Sequence, residues 1–287
     1  MSDNVTNDNL EELEIELLLE AVFRYYGYDL RDYDRGAVRL RIRERMLAGR
    51  ISTISRFQEK VLREPALLER LLGAFSPRDL SMFSDPAFYN TFRTKVLPQL
   101  RTYPFVRIWH AGCSTGEGVY SMAILLKEEG LYERSRIYAT DMSTRAISQA
   151  RVGSFSLSLP DECAANYQSS GGKWSLSQYF RKKGKRALID PALKRNIVFS
   201  EHNLATDGSF NEFQVVVCRG ILGSFNQRLK ERVDKLIYES LSRFGVLALG
   251  PAESIESMPH EDCYAPLDTE SCLYQKRGMP SAAASNW

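Results

Sequence analysis

The run His110-Ala111-Gly112-Cys113-Ser114-Thr115-Gly116-Glu117 gathers glycines, hydroxyls, a thiol and a carboxylate into one short string. A strand-like stretch, Phe105–His110, leads into it, and a helical pattern, Val119–Glu129, leaves it. Glycines at such a turn let backbone approach a ligand closely, and the helix start behind them offers free N–H groups. Asp141 ends the next strand-like run, 29 positions after Gly112, where an acid can accept hydrogen bonds from ribose hydroxyls. Together these residues suit nucleoside binding. The spacing is G-x-x-x-G-E. It lacks the Lys-Ser/Thr of a triphosphate-binding loop and the G-x-G-x-x-G of a dinucleotide site, which argues against a nucleotide triphosphatase and a hydride-transfer enzyme. A plain strand-to-helix turn, with Asp141 as a surface helix cap, is the simpler account of the same residues. His110 and His202 lie at strand ends without ligand spacing and read as core or rim histidines, and Cys113 reads as packing.

The elements that must position these residues alternate. After Phe105–His110 and Val119–Glu129 come strand Ile137–Thr140, helix Ser143–Arg151, strands Asn196–Ser200 and Phe213–Cys218, helix Gln227–Leu241 and strand Val246–Leu249. This predicts an α/β domain over 105–278 with a mostly parallel sheet covered on both faces. The basic, aromatic-containing stretch 171–195 interrupts the alternation and is expected to form a small β insert. Upstream, 10–75 reads as an all-α domain. Its first helix, Leu10–Tyr26, carries Leu13, Leu17, Val22 and Tyr25 as its apolar residues, and Gly27 ends it. Its second, Asp34–Ala48, is rich in arginine; Arg39, Arg43 and Arg50 fall within about 40° on a helical wheel. A linker and helix occupy 76–104, and the tail 279–287 is expected to be disordered.

Composition narrows the function. Hydrophobic residues make up 44% and charged residues 26%, the balance of an ordinary globular protein. A net charge of +2 is too small to imply a nucleic-acid partner. No apolar run is long enough for a membrane span, and the polar N-terminus lacks a secretory pattern. The five cysteines form no CxxC pair, so neither a zinc site nor a disulfide framework is supported. A reducing cytoplasm and a monomer are expected.

The string His110–Glu117, continued by Val119-Tyr120-Ser121, closely resembles the first cofactor motif of the CheR chemoreceptor-methylating family. Ala139-Thr140-Asp141 resembles its second motif, His202-Asn203-Leu204 its adenine-side step, and Phe213–Arg219 the strand ending in its Cys-Arg-Asn motif. The resemblance runs from about Leu13 to Lys276. It implies the class I S-adenosylmethionine-dependent methyltransferase fold, with a mostly parallel seven-stranded sheet whose last strands, within Tyr264–Tyr274, form an antiparallel hairpin. It implies S-adenosylmethionine and S-adenosylhomocysteine as ligands, held by Gly112, Cys113, Ser114, Thr115, Gly116, Glu117, Asp141, Met142, Asn203, Leu204 and Arg219. It also implies glutamates on the cytoplasmic helices of chemoreceptor-like proteins as substrate, met by Arg39, Arg43 and Arg50.

Three strings depart from the family pattern. Thr-x-x-Phe-Arg-Asp-Pro reads Leu80-Ser81-Met82-Phe83-Ser84-Asp85-Pro86, and Gly-Glu-Glu reads Gly116-Glu117-Gly118. Cys-Arg-Asn-Val-x-Ile-Tyr-Phe reads Cys218-Arg219-Gly220-Ile221-Leu222-Gly223-Ser224-Phe225. The family's arginine, asparagine and tyrosine thus become Ser84, Gly220 and Ser224. Arg78 is the nearest candidate to replace the lost arginine. The sequence therefore predicts weakened cofactor affinity. It leaves open an enzyme of reduced activity, a non-catalytic adaptor or ligand sensor, and a methyltransferase with another acceptor.

Overall fold

A computed structural model describes residues 2–77, 81–156 and 161–277. Leu80, Arg78 and the tail 279–287 lie outside the described residues. Four helices come first: α1 (Ser2–Tyr26), α2 (Arg35–Gly49), α3 (Ile54–Arg63) and α4 (Pro65–Leu72). Their boundaries are chemical. Asp34 accepts from the Ala37 N–H and Thr53 from the Arg56 N–H, each satisfying a free donor of a first turn. Pro65 occupies the first turn of α4, where a missing N–H costs nothing.

Helix α1 differs from the face read off the sequence. Ile15, Leu18, Leu19 and Val22 are buried, whereas Leu13, Leu17 and Tyr25 are 51%, 52% and 69% exposed. The helix is apolar on both sides, so periodicity alone selected three residues of the outer side together with the buried Val22. The arginine-rich helix differs too. Arg35 pairs with Glu12 and Glu16, Arg39 with Glu11 and Glu12, and Arg43 with Glu11. Arg50 is not on the helical face at all. It is the C-cap of α2, with φ 51°, and its N–H closes onto Met46 and Leu47. The predicted basic face is thus largely neutralised by acids of α1.

A helical run from Pro86 to Leu100, comprising α5 (Pro86–Thr91), a π turn (Phe92–Val96) and α6 (Leu97–Leu100), leads to the sheet. The α/β part contains β1 (Val106–Ala111), α7 (Glu117–Glu128), β2 (Ser135–Asp141), α8 (Thr144–Val152), β3 (Ser154–Ser156) and α9 (Asp161–Ser169). It continues with β4 (Phe180–Lys183), β5 (Arg186–Ile189), β6 (Ile197–Glu201), β7 (Phe213–Cys218), α10 (Gln227–Ser240), β8 (Leu241–Leu249), β9 (Tyr264–Asp268) and β10 (Leu273–Lys276). Seven strands form one sheet in the order β6-β2-β1-β7-β8-β10-β9. The first five run parallel, and β10 and β9 return antiparallel, as the expected hairpin. The β4–β5 hairpin lies within the predicted insert, and β3 joins it to make a three-stranded sheet.

Every residue of β7 is buried, which suits a central parallel strand covered on both faces. On one face α7 buries Val119 to Leu126 in a core that also takes Phe88, Phe92 and Val96. On the other face, Trp109, Phe213 and α10 share one continuous core with Leu18, Val38 and Phe57 of the helical domain. Backbone stitches the two parts together. Tyr33 and Phe225 form an antiparallel bridge, the Asp34 N–H donates to the Ser224 carbonyl at 2.9 Å, and the Asn226 N–H donates to Asp32 at 3.0 Å.

Candidate active site

Strands β1 and β2 end side by side at Ala111 and Asp141, because Ala111 pairs with Thr140. The chain then turns through Gly112, whose φ is +69°; a Cβ there would stand 2.1 Å from Ile221 Cδ1. Glycine is required twice over, for its conformation and for this approach. The turn is tied to β2 by the Cys113 N–H on the Thr140 carbonyl (2.8 Å) and the Ser114 N–H on Asp141 Oδ2 (2.9 Å). Asp141 Oδ1 accepts from Ser76 Oγ (2.8 Å) and the Ser143 N–H (3.0 Å). Asp141 is 3% exposed. Burial raises its pKa, opposed by the donors from Ser143, Ser76 and Ser114.

Two cavities meet at Gly112. One, with about 30 Å³ of water-accessible space, is lined by Tyr33, Phe75, Ser76, Asp141, Met142, Asn203, Leu204, Ile221 and Phe225. That is room for a water or two. The other, about 200 Å³, is lined by Ser84, Asp85, Phe88, Tyr89, His110, Cys113, Gly118, Arg219 and Gly220 among others. The structure thus brings Gly112, Asp141, Met142, Asn203 and Leu204 to the first cavity, and Cys113, Arg219, Ser84 and Gly220 to the second. Thr115 and Glu117 turn away, into an open groove beside Arg145 and Phe155. There Thr115 Oγ1 lies 2.8 and 2.7 Å from the two Glu117 oxygens, so Glu117 braces the turn from outside. Burial raises the Glu117 pKa, opposed by Thr115. Ser114 borders another cleft, near Arg45 and Ser143. Ser224 lines neither cavity; it is buried at the seam with the helical domain.

The second cavity has a fixed charge pair. Arg219 Nη2 donates to Asp85 Oδ2 at 2.5 Å, and its guanidinium carbon lies 4.1 Å over the Phe88 ring. Asp85 also caps α5 through the Phe88 N–H. Burial pushes the Cys113 thiol well above its usual range, so it is protonated and a poor nucleophile at neutral pH. Burial, with a smaller contribution from the Arg219 charge, lowers His110 to about 3. The imidazole is neutral.

Several residues that build the site gave no signal in the sequence. Tyr33 and Ser76 come from distant segments. So does Glu253, whose Oε1 accepts the Ile221 and Leu222 N–H groups (2.7 and 2.6 Å) and whose Oε2 accepts those of Gly220 and Gly250 (2.9 and 2.7 Å). It fixes the turn that carries Ile221 between the two cavities.

The pattern described as CheR methyltransferase, SAM binding domain, matches residues 79–269, and the family's all-alpha domain matches residues 13–76. This chain belongs to the CheR methyltransferase family. Cher3 of Pseudomonas putida, which carries a provisional methyltransferase name, is 39% identical over 95% of this chain and 100% of its own. A chemotaxis protein methyltransferase of Listeria monocytogenes is 27% identical over 82% of this chain and 87% of its own. Cher2 of Pseudomonas putida, also named a chemotaxis protein methyltransferase, is 26% identical over 89% and 94%. A methyltransferase of Geobacter sulfurreducens solved with S-adenosyl-L-homocysteine is similar over 63% of this chain and 54% of its own, with TM-score 0.34 and 15% identity.

The sheet order and the family match make this the class I S-adenosylmethionine-dependent methyltransferase fold, with S-adenosylmethionine and S-adenosylhomocysteine as the ligands of its larger domain. The residue types suit that group, and the nucleoside end must open beyond its about 30 Å³ to admit it. Asp141, Asn203 and Leu204 would hold the nucleoside at one side of Gly112, and the cavity at its other side is lined by His110 and the Arg219 cation. Among the described residues no helix is long and apolar enough to cross a membrane.

Proposed function

We propose that this protein methylates glutamate side chains on the cytoplasmic helices of chemoreceptor-like proteins, far more slowly than a relative with complete motifs. The observation that carries this reading is the second cavity. It keeps a polar anchor and a paired cation, while Ser84 and Gly220 face it with a short hydroxyl and no side chain. S-adenosylmethionine supplies a methyl group on a positively charged sulfur. A glutamate acceptor, with a reference pKa of about 4.3, is already ionised at neutral pH, so no general base is needed. The protein's task is alignment, which contributes up to roughly 7–11 kcal/mol in favourable cases. Losing side chains that orient the reactants slows such a reaction and deletes no proton-transfer step. For the acceptor, Arg39 and Arg43 would exchange the carboxylates of α1 for those of a receptor helix.

One observation favours a second reading, a non-catalytic adaptor or ligand sensor. Both Asp141 oxygens already hold protein donors, and the nucleoside end is narrow. Calorimetry and a labelled-methyl assay separate the two. The enzyme reading expects S-adenosylhomocysteine to bind with a dissociation constant of roughly 10 µM or above. It expects Ser84→Arg with Gly220→Asn to raise methyl transfer to receptor fragments, with Ser224→Tyr adding little because position 224 lies outside the cavity. Asparagine tolerates the left-handed backbone at 220, where φ is +75° and a Cβ meets only Pro77 at 3.6 Å. A folded double variant that binds cofactor yet stays silent would favour the adaptor.

A further inference from the structure

We propose that the Ser76 hydroxyl stands in for a ribose hydroxyl, a movable donor on Asp141 that a bound nucleoside replaces. The inference rests on the cofactor-binding reading above and adds to it a residue that sets the affinity. Ser76 follows α4, in the segment that joins the helical domain to the rest of the chain, and its Oγ donates to Asp141 Oδ1 at 2.8 Å across 65 positions. An acid at such a strand tip is where a ribose hydroxyl would donate. Ser76 is 6% exposed and lines two spaces, the nucleoside cavity of about 30 Å³ and the cleft of about 290 Å³ beside Arg45 and Ser143. It is the partition between a space that admits only a water or two and a larger one.

Of the donors from Ser76, Ser114 and Ser143, the first is the one that can leave. Ser114 and Ser143 donate backbone N–H groups. One belongs to the turn that the Cys113 N–H ties to Thr140, the other to the N-cap residue of α8, whose Oγ accepts the Ala146 N–H. Either could leave only by unravelling its element. Ser76 needs one side-chain rotation between staggered positions. Its backbone is held meanwhile, because the buried Pro77 lies against two glycines: Cβ atoms built on Gly112 and Gly220 would stand 3.7 and 3.6 Å from its ring. A ribose hydroxyl restores the hydrogen bond that Ser76 gives up. The ligand must first break the bond already present, and a hydrogen bond to a charged group is among the stronger ones, so the affinity falls by that amount.

The test is calorimetry with S-adenosylhomocysteine beside a denaturant titration of the unliganded protein, both on the full chain. Ser76→Ala removes the donor and should tighten S-adenosylhomocysteine by about tenfold while lowering the denaturation midpoint. A merely structural role moves both readouts downward, since loosening the fold also weakens the ligand. Ser76→Thr keeps the hydroxyl and should bind no more tightly than the unmodified chain. Should Ser76→Ala fold poorly, Ser76→Cys, a weaker donor of similar size, should give a smaller tightening. Unchanged or weaker binding on loss of the hydroxyl, or tightening by Ser76→Thr, overturns the role of Ser76 while leaving the cofactor reading intact. Failure of the unmodified chain and of every variant to bind overturns both.

Discussion

The two ends of the cleft share Gly112 but are finished differently. At the nucleoside end, the Asp141 carboxylate has three donors, Ile221 lies against the glycine, and only about 30 Å³ remains. At the other end there is about 200 Å³, a glycine-rich wall and the Arg219–Asp85 pair. A ligand entering the first must exchange hydrogen bonds that already exist. A ligand entering the second meets open space. The first end is closed by contacts within the protein, and the second is open.

The largest effect is expected at the wall between them. Glu253→Ala leaves four backbone N–H groups without their acceptor and should lower unfolding free energy by about 3 kcal/mol in a denaturant titration. Glu253→Gln, with one acceptor oxygen, should cost less. An unchanged transition would mean that the Gly220–Leu222 turn holds itself and that the wall can move freely.

The next effect distinguishes the ends by pH. His110 has a folded pKa of about 3 against an ordinary 6.5. Its neutral form therefore contributes stability that is complete above pH 6.5 and is lost as pH falls towards 3. Between pH 7.5 and pH 5 the unmodified protein should lose roughly 2 kcal/mol more than His110→Gln. Parallel stability curves for the two proteins would show that the imidazole is solvated, with the second end wetter than described.

The smallest effect sharpens the nucleoside end. Ile221→Val removes the methyl that crowds Gly112 and should tighten S-adenosylhomocysteine by roughly threefold in calorimetry. Weaker or equal binding would show that Ile221 contacts the ligand and does not exclude it.

The sequence made the fold legible where burial is two-sided. Phe213–Cys218 is an uninterrupted apolar run and is the strand β7, and the alternation around it orders the sheet. It misled where a helix is apolar on more than one side: α1 buries Leu18 and Leu19 and exposes Leu13 and Leu17. In the site, Gly112 and Asp141 were readable because a turn and a strand tip are local. Ser76 and Glu253 were not, because each meets its partner across 65 and about 30 positions respectively. His110 was visible but ambiguous. A lone histidine at a strand end looks the same whether it packs or binds.

The seam between Asp34 and Ser224 bears on modularity. Two family patterns divide this chain near residue 77, which invites treating the parts as exchangeable. Tyr33 is bridged to Phe225, and both rings wall the nucleoside cavity. A chimera that takes its helical domain from a relative therefore imports half of a ligand pocket, and its junction is not at the boundary between the patterns. The unit of inheritance here is the pair of loops Asp32–Asp34 and Ser224–Asn226, which must be transplanted together or matched by hand.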